Sequence, residues 1–258
     1  MAIKFGTAGI GPVKDVENTF EEYKVLGIKA AEIPFTYGIF ITKESDMKKV
    51  RDASEKFDIQ LSIHAPYWIN LNSKDKVKVA QSKQRILKCC EVGNKVGAYR
   101  VVFHAGFYAG KEEQETYENI KNQIIDMHEF IKNKNWKIKL APETMGKINV
   151  FGSVEQISQL VKDTDCEFCI DFAHILARER KVDFNKIKKF FPQKKWHCHF
   201  SGIAYGDKGE KHHKKTEKQE WEKLLENLPK DKEIIIINES PDPFGDTLLG
   251  VKVWKGTD

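Results

Sequence analysis

Residues 233–239 read EIIIINE: a continuous apolar run closed by Asn238 and Glu239. A run of that length, rich in β-branched residues, is the signature of a strand. The segment before it has the other periodicity. Thr216 and Gln219 open a helix whose apolar face is Trp221, Leu224, Leu225 and Leu228. Working back toward the N-terminus, the same pair recurs. Strands are expected at 3–9, 30–35, 59–65, 99–105, 138–144, 167–172, 195–201 and 233–239. Between them lie helical stripes, such as Val16, Phe20, Tyr23 and Leu26 with Gly27 as the stop, or Tyr117, Ile120, Ile124, Met127 and Ile131. Ser45 is placed to cap the second helix, Ser153 and Gln156 form a capping box, and Asp183 caps a short helix.

About eight strand-then-helix units follow one another without a linker or low-complexity break. Strands alternating with amphipathic helices imply parallel pairing through crossovers. Eight such units predict one closed (β/α)8 TIM barrel spanning residues 1–258 as a single domain. An open, doubly wound sheet is the runner-up. It would want a G-x-G-x-x-G turn after the first strand, and Thr7-Ala8-Gly9-Ile10-Gly11 lacks that spacing.

Composition excludes several classes. Of 258 residues 40% are hydrophobic, enough for a sizeable core and too many for a disordered chain. No apolar run approaches the roughly 20 residues of a membrane span. The first residues lack a secretory signal, so a cytoplasmic location without membrane contact is expected. The five cysteines are an odd number, which argues for free thiols. Cys169 lies in an expected strand, where positions three apart point to opposite faces, so Cys166 and Cys169 read as buried thiols rather than a metal or redox motif. The net charge of +5, spread over many lysines, suits an anionic partner or an ordinary charged surface.

The chemistry gathers at the strand ends. His64, His104, Glu143, Asp171 with His174, His199 and Glu239 each fall at or just past a strand's C-terminus. In a barrel those ends converge on one mouth. The segment 196–213, WHCHFSGIAYGDKGEKHH, holds four of the eight histidines and adds Glu210 and His212 in a loop. A lone histidine there is usually a hydrogen-bonded structural residue. Recurrence on six strand ends changes that, since neutral imidazole and ionised carboxylate both donate lone pairs to a metal. The set exceeds the roughly four ligands of one zinc, so two or three ions with a bridging carboxylate fit better. His197 lies one layer deeper on its strand and is assigned to packing. His128 lies on a helix and has no role, and His213 is left open.

The segments Ser62-Ile-His64-Ala-Pro-Tyr67-x-Ile-Asn70, Val102-Phe-His104, Glu143-Thr144, Asp171-x-x-His174, His199, Glu210-x-His212 and Asn238-Glu239 resemble, in order along the whole chain, the endonuclease IV family of abasic-site DNA-repair enzymes. The resemblance implies a xylose-isomerase-like barrel with up to three zinc ions. It implies that His64 and His104 bind the first ion and that Glu143, the catalytic centre, bridges to a second held by Asp171, His199 and Glu239. A third would fall to His174, Glu210 and His212. It further implies that Tyr67 and Trp68 engage DNA at the lesion. Glu210 stands where bacterial members have Asp, and residues 36–42 lack the arginine expected of a DNA-inserting loop.

The expected activity is therefore zinc-dependent hydrolysis of the phosphodiester 5′ to an abasic site in DNA, as in base excision repair, by a monomer. Phe107 and Tyr205 are further wedge candidates, and Lys208, Lys211, Lys214 and Lys215 are candidate phosphate contacts. A metal-dependent sugar isomerase or epimerase on the same barrel is the alternative. It sits less well with five imidazoles, which one or two harder ions would not want.

Overall fold

A computed structural model describes residues 2–257. Eight parallel strands form its sheet: β1 (Ala2–Ala8), β2 (Ala30–Pro34), β3 (Gln60–His64), β4 (Arg100–Phe103), β5 (Lys139–Pro142), β6 (Ile170–Asp171), β7 (Lys195–Phe200) and β10 (Glu233–Asn238). A separate antiparallel hairpin, β8 (Gly202–Gly206) and β9 (Gly209–Lys214), interrupts the series after β7. The sheet runs in the order β5-β4-β3-β2-β1-β10-β7-β6. Its two edges then meet. The Glu167 amide donates to the Leu140 carbonyl (2.9 Å), Cys169 to Pro142 (3.1 Å) and Thr144 to Cys169 (3.0 Å). These bonds close the ring as the barrel expectation requires and leave no long free edge.

Helices α1 (Val16–Leu26), α2 (Glu44–Phe57), α3 (Lys76–Val96), α4 (Glu113–Asn133), α5 (Val154–Thr164), α6 (Phe172–Glu179), α7 (Phe184–Phe190), α8 (Lys218–Asn227) and α9 (Pro243–Lys255) complete the fold. The α4 stripe from Tyr117 to Ile131 is buried as its spacing predicts. Each such aliphatic side chain contributes about 1.5–3 kcal/mol of burial. The Ser153–Gln156 capping box forms. Ser45 does not cap α2. The helix begins two residues earlier than that cap would give, at Glu44, with Lys43 at the cap position and no side-chain cap bond, and Glu44 and Asp46 set acidic charge against its N-terminus. No helix among the described residues is long and apolar enough to cross a membrane.

Two differences from the sequence expectations matter for function. β6 is two residues long, and it ends at Asp171 because that carboxylate accepts the His174 amide (2.7 Å) and starts α6 at Phe172. His174 is thus helical and rigidly placed. And residues 202–214 are a hairpin rather than an irregular loop, turning at Gly209 with φ of 90°. The hairpin is docked. Glu210 donates its amide to the Gly146 carbonyl (3.1 Å), and Ile148 donates to Lys208 (3.3 Å). A Cβ on Gly209 would come within 2.1 Å of the Gly146 oxygen, so only glycine permits this approach.

Candidate metal centre

Side chains alternate across a strand, and parallel register puts paired residues on the same face of the sheet. Ile237 of β10 pairs with His199 of β7, and His199 with Asp171 of β6. On the other side Pro34 of β2 pairs with His64 of β3, and His64 with Val102 of β4. His104, Glu143 and Glu239 each follow their strand by one residue, so strand after strand sends its last inward side chain into the same mouth.

Glu143 is the hub, wholly buried. Its Oε2 lies 3.3 Å from His64 Nε2 and 3.2 Å from His104 Nε2. Its Oε1 lies 3.2 Å from His174 Nδ1 and 3.3 Å from His199 Nδ1. Each oxygen therefore faces a different pair of imidazoles. Glu239 Oε2 stands 3.2 Å from His199 Nδ1. Asp171 Oδ2 is buried, 3.4 Å from His174 Nδ1, and has no hydrogen-bond partner among the described residues.

A third group forms where the hairpin meets α6. Glu210 Oε2 lies 3.4 Å from His174 Nε2, and His213 Nε2 lies 3.3 Å from the same nitrogen. Ser201 Oγ braces His213 at Nδ1 (2.9 Å). His212 does not join the group and is exposed. The cause is a β-bulge. Ala204 pairs with His212 and Tyr205 with Glu210, so Lys211 is an extra residue without a partner. It puts Glu210 and His213 on the inner side and turns Lys211 and His212 outward.

Backbone carbonyls orient two of these rings. His64 Nδ1 is 2.7 Å from the Ala65 oxygen, and His174 Nδ1 is 3.0 Å from the Thr144 oxygen. With Nδ1–H donated to a carbonyl, Nε2 carries the lone pair into the cleft. Burial alone would raise the Glu143 carboxyl, but the imidazoles of His199, His104 and His174 hold it well below the usual carboxylate range. Burial disfavours charge on His64, yet Glu143 and Glu239 push it up to about 9. Burial likewise disfavours charge on His174, and Asp171 and Glu143 raise it well above its ordinary value. The carboxylates thus draw positive charge onto the rings, and a metal cation would supply it without protons.

The donor atoms test well as metal sites. His64, His104 and Glu143 lie within 4.8 Å of one another, as do Glu143, Asp171, His199 and Glu239, and as do Asp171, His174 and His213. The unpartnered Asp171 oxygen fits a ligand role as well.

His64, His104, His174, Glu210, His213 and Glu239 line a cleft of about 680 Å³, while Glu143, Asp171 and His199 are fully buried. The ring of Tyr67 stacks on His104, with centroids 5.6 Å apart. Trp68 and Tyr37 stand on the rim, half exposed and exposed, with Tyr37 6.1 Å from Tyr67 and 6.4 Å from Trp68. Lys147 and Phe107 complete the wall. Tyr37 fills the loop in which no arginine was found.

Glu32 was missed in the sequence reading. It is fully buried on β2, 2.9 Å from His199 Nε2 and 3.2 Å from His197 Nε2. The signal was available: a lone carboxylate inside the apolar run AAEIPF. His213 had no comparable signal, since the bulge that selects it leaves no local mark. His197 packs in the barrel as expected, and the five cysteines are free and buried.

A family model described as a xylose isomerase-like TIM barrel matches residues 20–253. An uncharacterised protein of Methanocaldococcus jannaschii is 37% identical over 224 residues, covering 81% of this chain and 80% of its own. The probable endonuclease 4 of the Aster yellows witches'-broom phytoplasma is 32% identical over 143 residues, 52% of this chain and 48% of that relative, so the match spans about half of each. Among solved structures, endonuclease IV from Thermus thermophilus aligns with a TM-score of 0.73 at 19% identity, over 99% of this chain and 98% of the other. At that identity the likeness speaks for the fold.

Proposed function

From its membership of the xylose isomerase-like TIM barrel family, to which this chain belongs, we propose that the protein is a zinc-dependent endonuclease that hydrolyses the phosphodiester on the 5′ side of abasic sites in DNA. One observation carries the reading: the two oxygens of the buried Glu143 carboxylate face different ligand imidazoles, Oε2 those of His64 and His104 and Oε1 that of His199. That is the disposition of a carboxylate shared between two ions, with a third donor group alongside. The likeness to the probable endonuclease 4 of the phytoplasma supports an endonuclease reading.

His64, His104 and Glu143 would hold one ion, and Glu143, Asp171, His199 and Glu239 a second. His174, Glu210 and His213 would hold a third, with His213 taking the place first given to His212. Zinc, when bound, supplies Lewis acidity and lowers the pKa of water toward neutrality. In the hydrolysis a water oxygen bonds to phosphorus, the bond from phosphorus to the upstream 3′ oxygen breaks, and a proton ends on the released 3′-hydroxyl. Glu143 keeps two donor sets in one piece. Tyr67, Trp68 and Tyr37 present aromatic faces at the rim, where an abasic gap leaves stacking partners free. Lys147, Lys208 and Lys214 offer charge to the flanking phosphates. The same reading implies a monomer acting in the cytoplasm.

The test is incision of a labelled duplex with one synthetic abasic site, beside an intact duplex, before and after metal is stripped. Selective cutting on the 5′ side, lost with the metal and restored by zinc, is the expected result. Zinc-loaded protein that leaves the abasic duplex whole would move the assignment to proton transfer on small sugars.

A further inference from the structure

Resting on that reading, we infer that Glu32 is a positioning residue: from across the barrel it fixes the ring of His199 so that Nδ1 faces the metal cleft. His199 has a problem that His64 and His174 do not. Those two sit past or at the end of the sheet and find backbone carbonyls for their second nitrogen. His199 lies within β7, between β6 and β10, where the strand carbonyls are engaged in the sheet. Only a side chain can hold its Nε2.

Glu32 is built for that task. Its Oε2 accepts the Ser62 hydroxyl (2.7 Å) and the His197 Nε2–H (3.2 Å). The Tyr99 hydroxyl in turn donates to His197 Nδ1 (2.6 Å). This chain of donors occupies one carboxylate oxygen and leaves Oε1 to face His199 Nε2 at 2.9 Å. Both atoms are buried and neither makes a hydrogen bond among the described residues, although they approach within 2.9 Å of one another. A small rotation of the imidazole completes the bond. Burial of an ionised carboxylate is costly unless it is paired and hydrogen-bonded. Here it stabilises the Nε2–H tautomer and raises the basicity of the nitrogen that faces Glu143 and Glu239.

The experiment compares wild type with Glu32→Gln and Glu32→Ala. Zinc affinity is read by competition with a chromophoric chelator, and the His199 tautomer by ¹⁵N-edited NMR of the imidazoles. Circular dichroism and melting check the fold. Glu32→Ala should weaken one zinc per chain by about 10- to 100-fold, and Glu32→Gln, a neutral isostere, by less. Wild type should show the His199 proton on Nε2, and both variants should shift toward mixed tautomers. If the alanine variant fails to fold, the isosteric glutamine carries the test.

Zinc affinity and tautomer unchanged in the variants would overturn this inference and leave the endonuclease reading standing. Wild type that takes up no zinc would overturn both. A thiolate-to-metal charge-transfer band in the cobalt-loaded wild type would also overturn it. The donor atoms of Cys169, His197 and His199 lie within 4.8 Å of one another, and such a band would make them an ion site of their own.

Discussion

The floor of the cleft and its rim are built on opposite terms. On the floor Glu143, Asp171 and His199 are fully buried, and every donor except Glu210 and His213 of the hairpin sits on or just past a barrel strand or in the first turn of α6. On the rim Tyr37 is 83% and Trp68 51% exposed, both in loops. The floor is over-determined by sheet register, and the rim is held by ring contacts among its aromatics and a few hydrogen bonds to loop carbonyls. Rigid strands set the chemistry, and loops set what is admitted to it. Changes on the floor should therefore alter metal content and turnover together. Rim changes should alter substrate affinity and leave the metal in place.

The largest effect should come from Glu143→Ala. Incision should fall by at least about 100- to 1000-fold, with lost zinc and an unchanged fold, read by turnover, metal analysis and circular dichroism. Near-normal turnover would break the division at its centre. Next is the pair His213→Ala and His212→Ala. The first should lose one zinc per chain with a marked drop in rate, and the second should match wild type. A reversed outcome would mean that the hairpin register differs in solution. On the rim, Trp68→Ala or Tyr67→Ala should cost about 1–3 kcal/mol in binding abasic duplex, with zinc content intact. Fluorescence anisotropy reads the first quantity and metal analysis the second.

The smallest effect is in pH. His64, raised to about 9 from 6.5, favours the folded, zinc-free protein when protonated. Its contribution is complete below about 6.5 and is lost as pH rises through about 9. Zinc must displace that proton, so zinc affinity should rise over the same window. Melting of stripped protein and zinc titrations across it should slope in opposite directions.

Much of this was legible in the sequence. The period of the strands and the stripes of the helices specify the barrel, because burial on a sheet or a helix face leaves a repeating mark. The floor donors were legible for a related reason: a strand end is visible, and a barrel sends strand ends to one place. What escaped depended on pairing between distant segments. Glu32 acts through His199 three strands away, and its own run shows only an out-of-place carboxylate. His213 is selected by the partner strand of its hairpin. β6 ends one residue before its expected end because Asp171 caps the next helix, a competition between two uses of one side chain.

The bulge at Lys211 also bears on how the hairpin tolerates gain and loss of a codon. Without Lys211, Glu210 and His213 would be two positions apart, and an unbulged ribbon would still present both inward. The hairpin accommodates one extra residue by turning it to solvent. Alignments that match residues by count along the sequence will pair His212 with the inward histidine of an unbulged relative. Alignments made through the hairpin's partner strand will pair His213, and sequence logos for this segment should be drawn on that second footing.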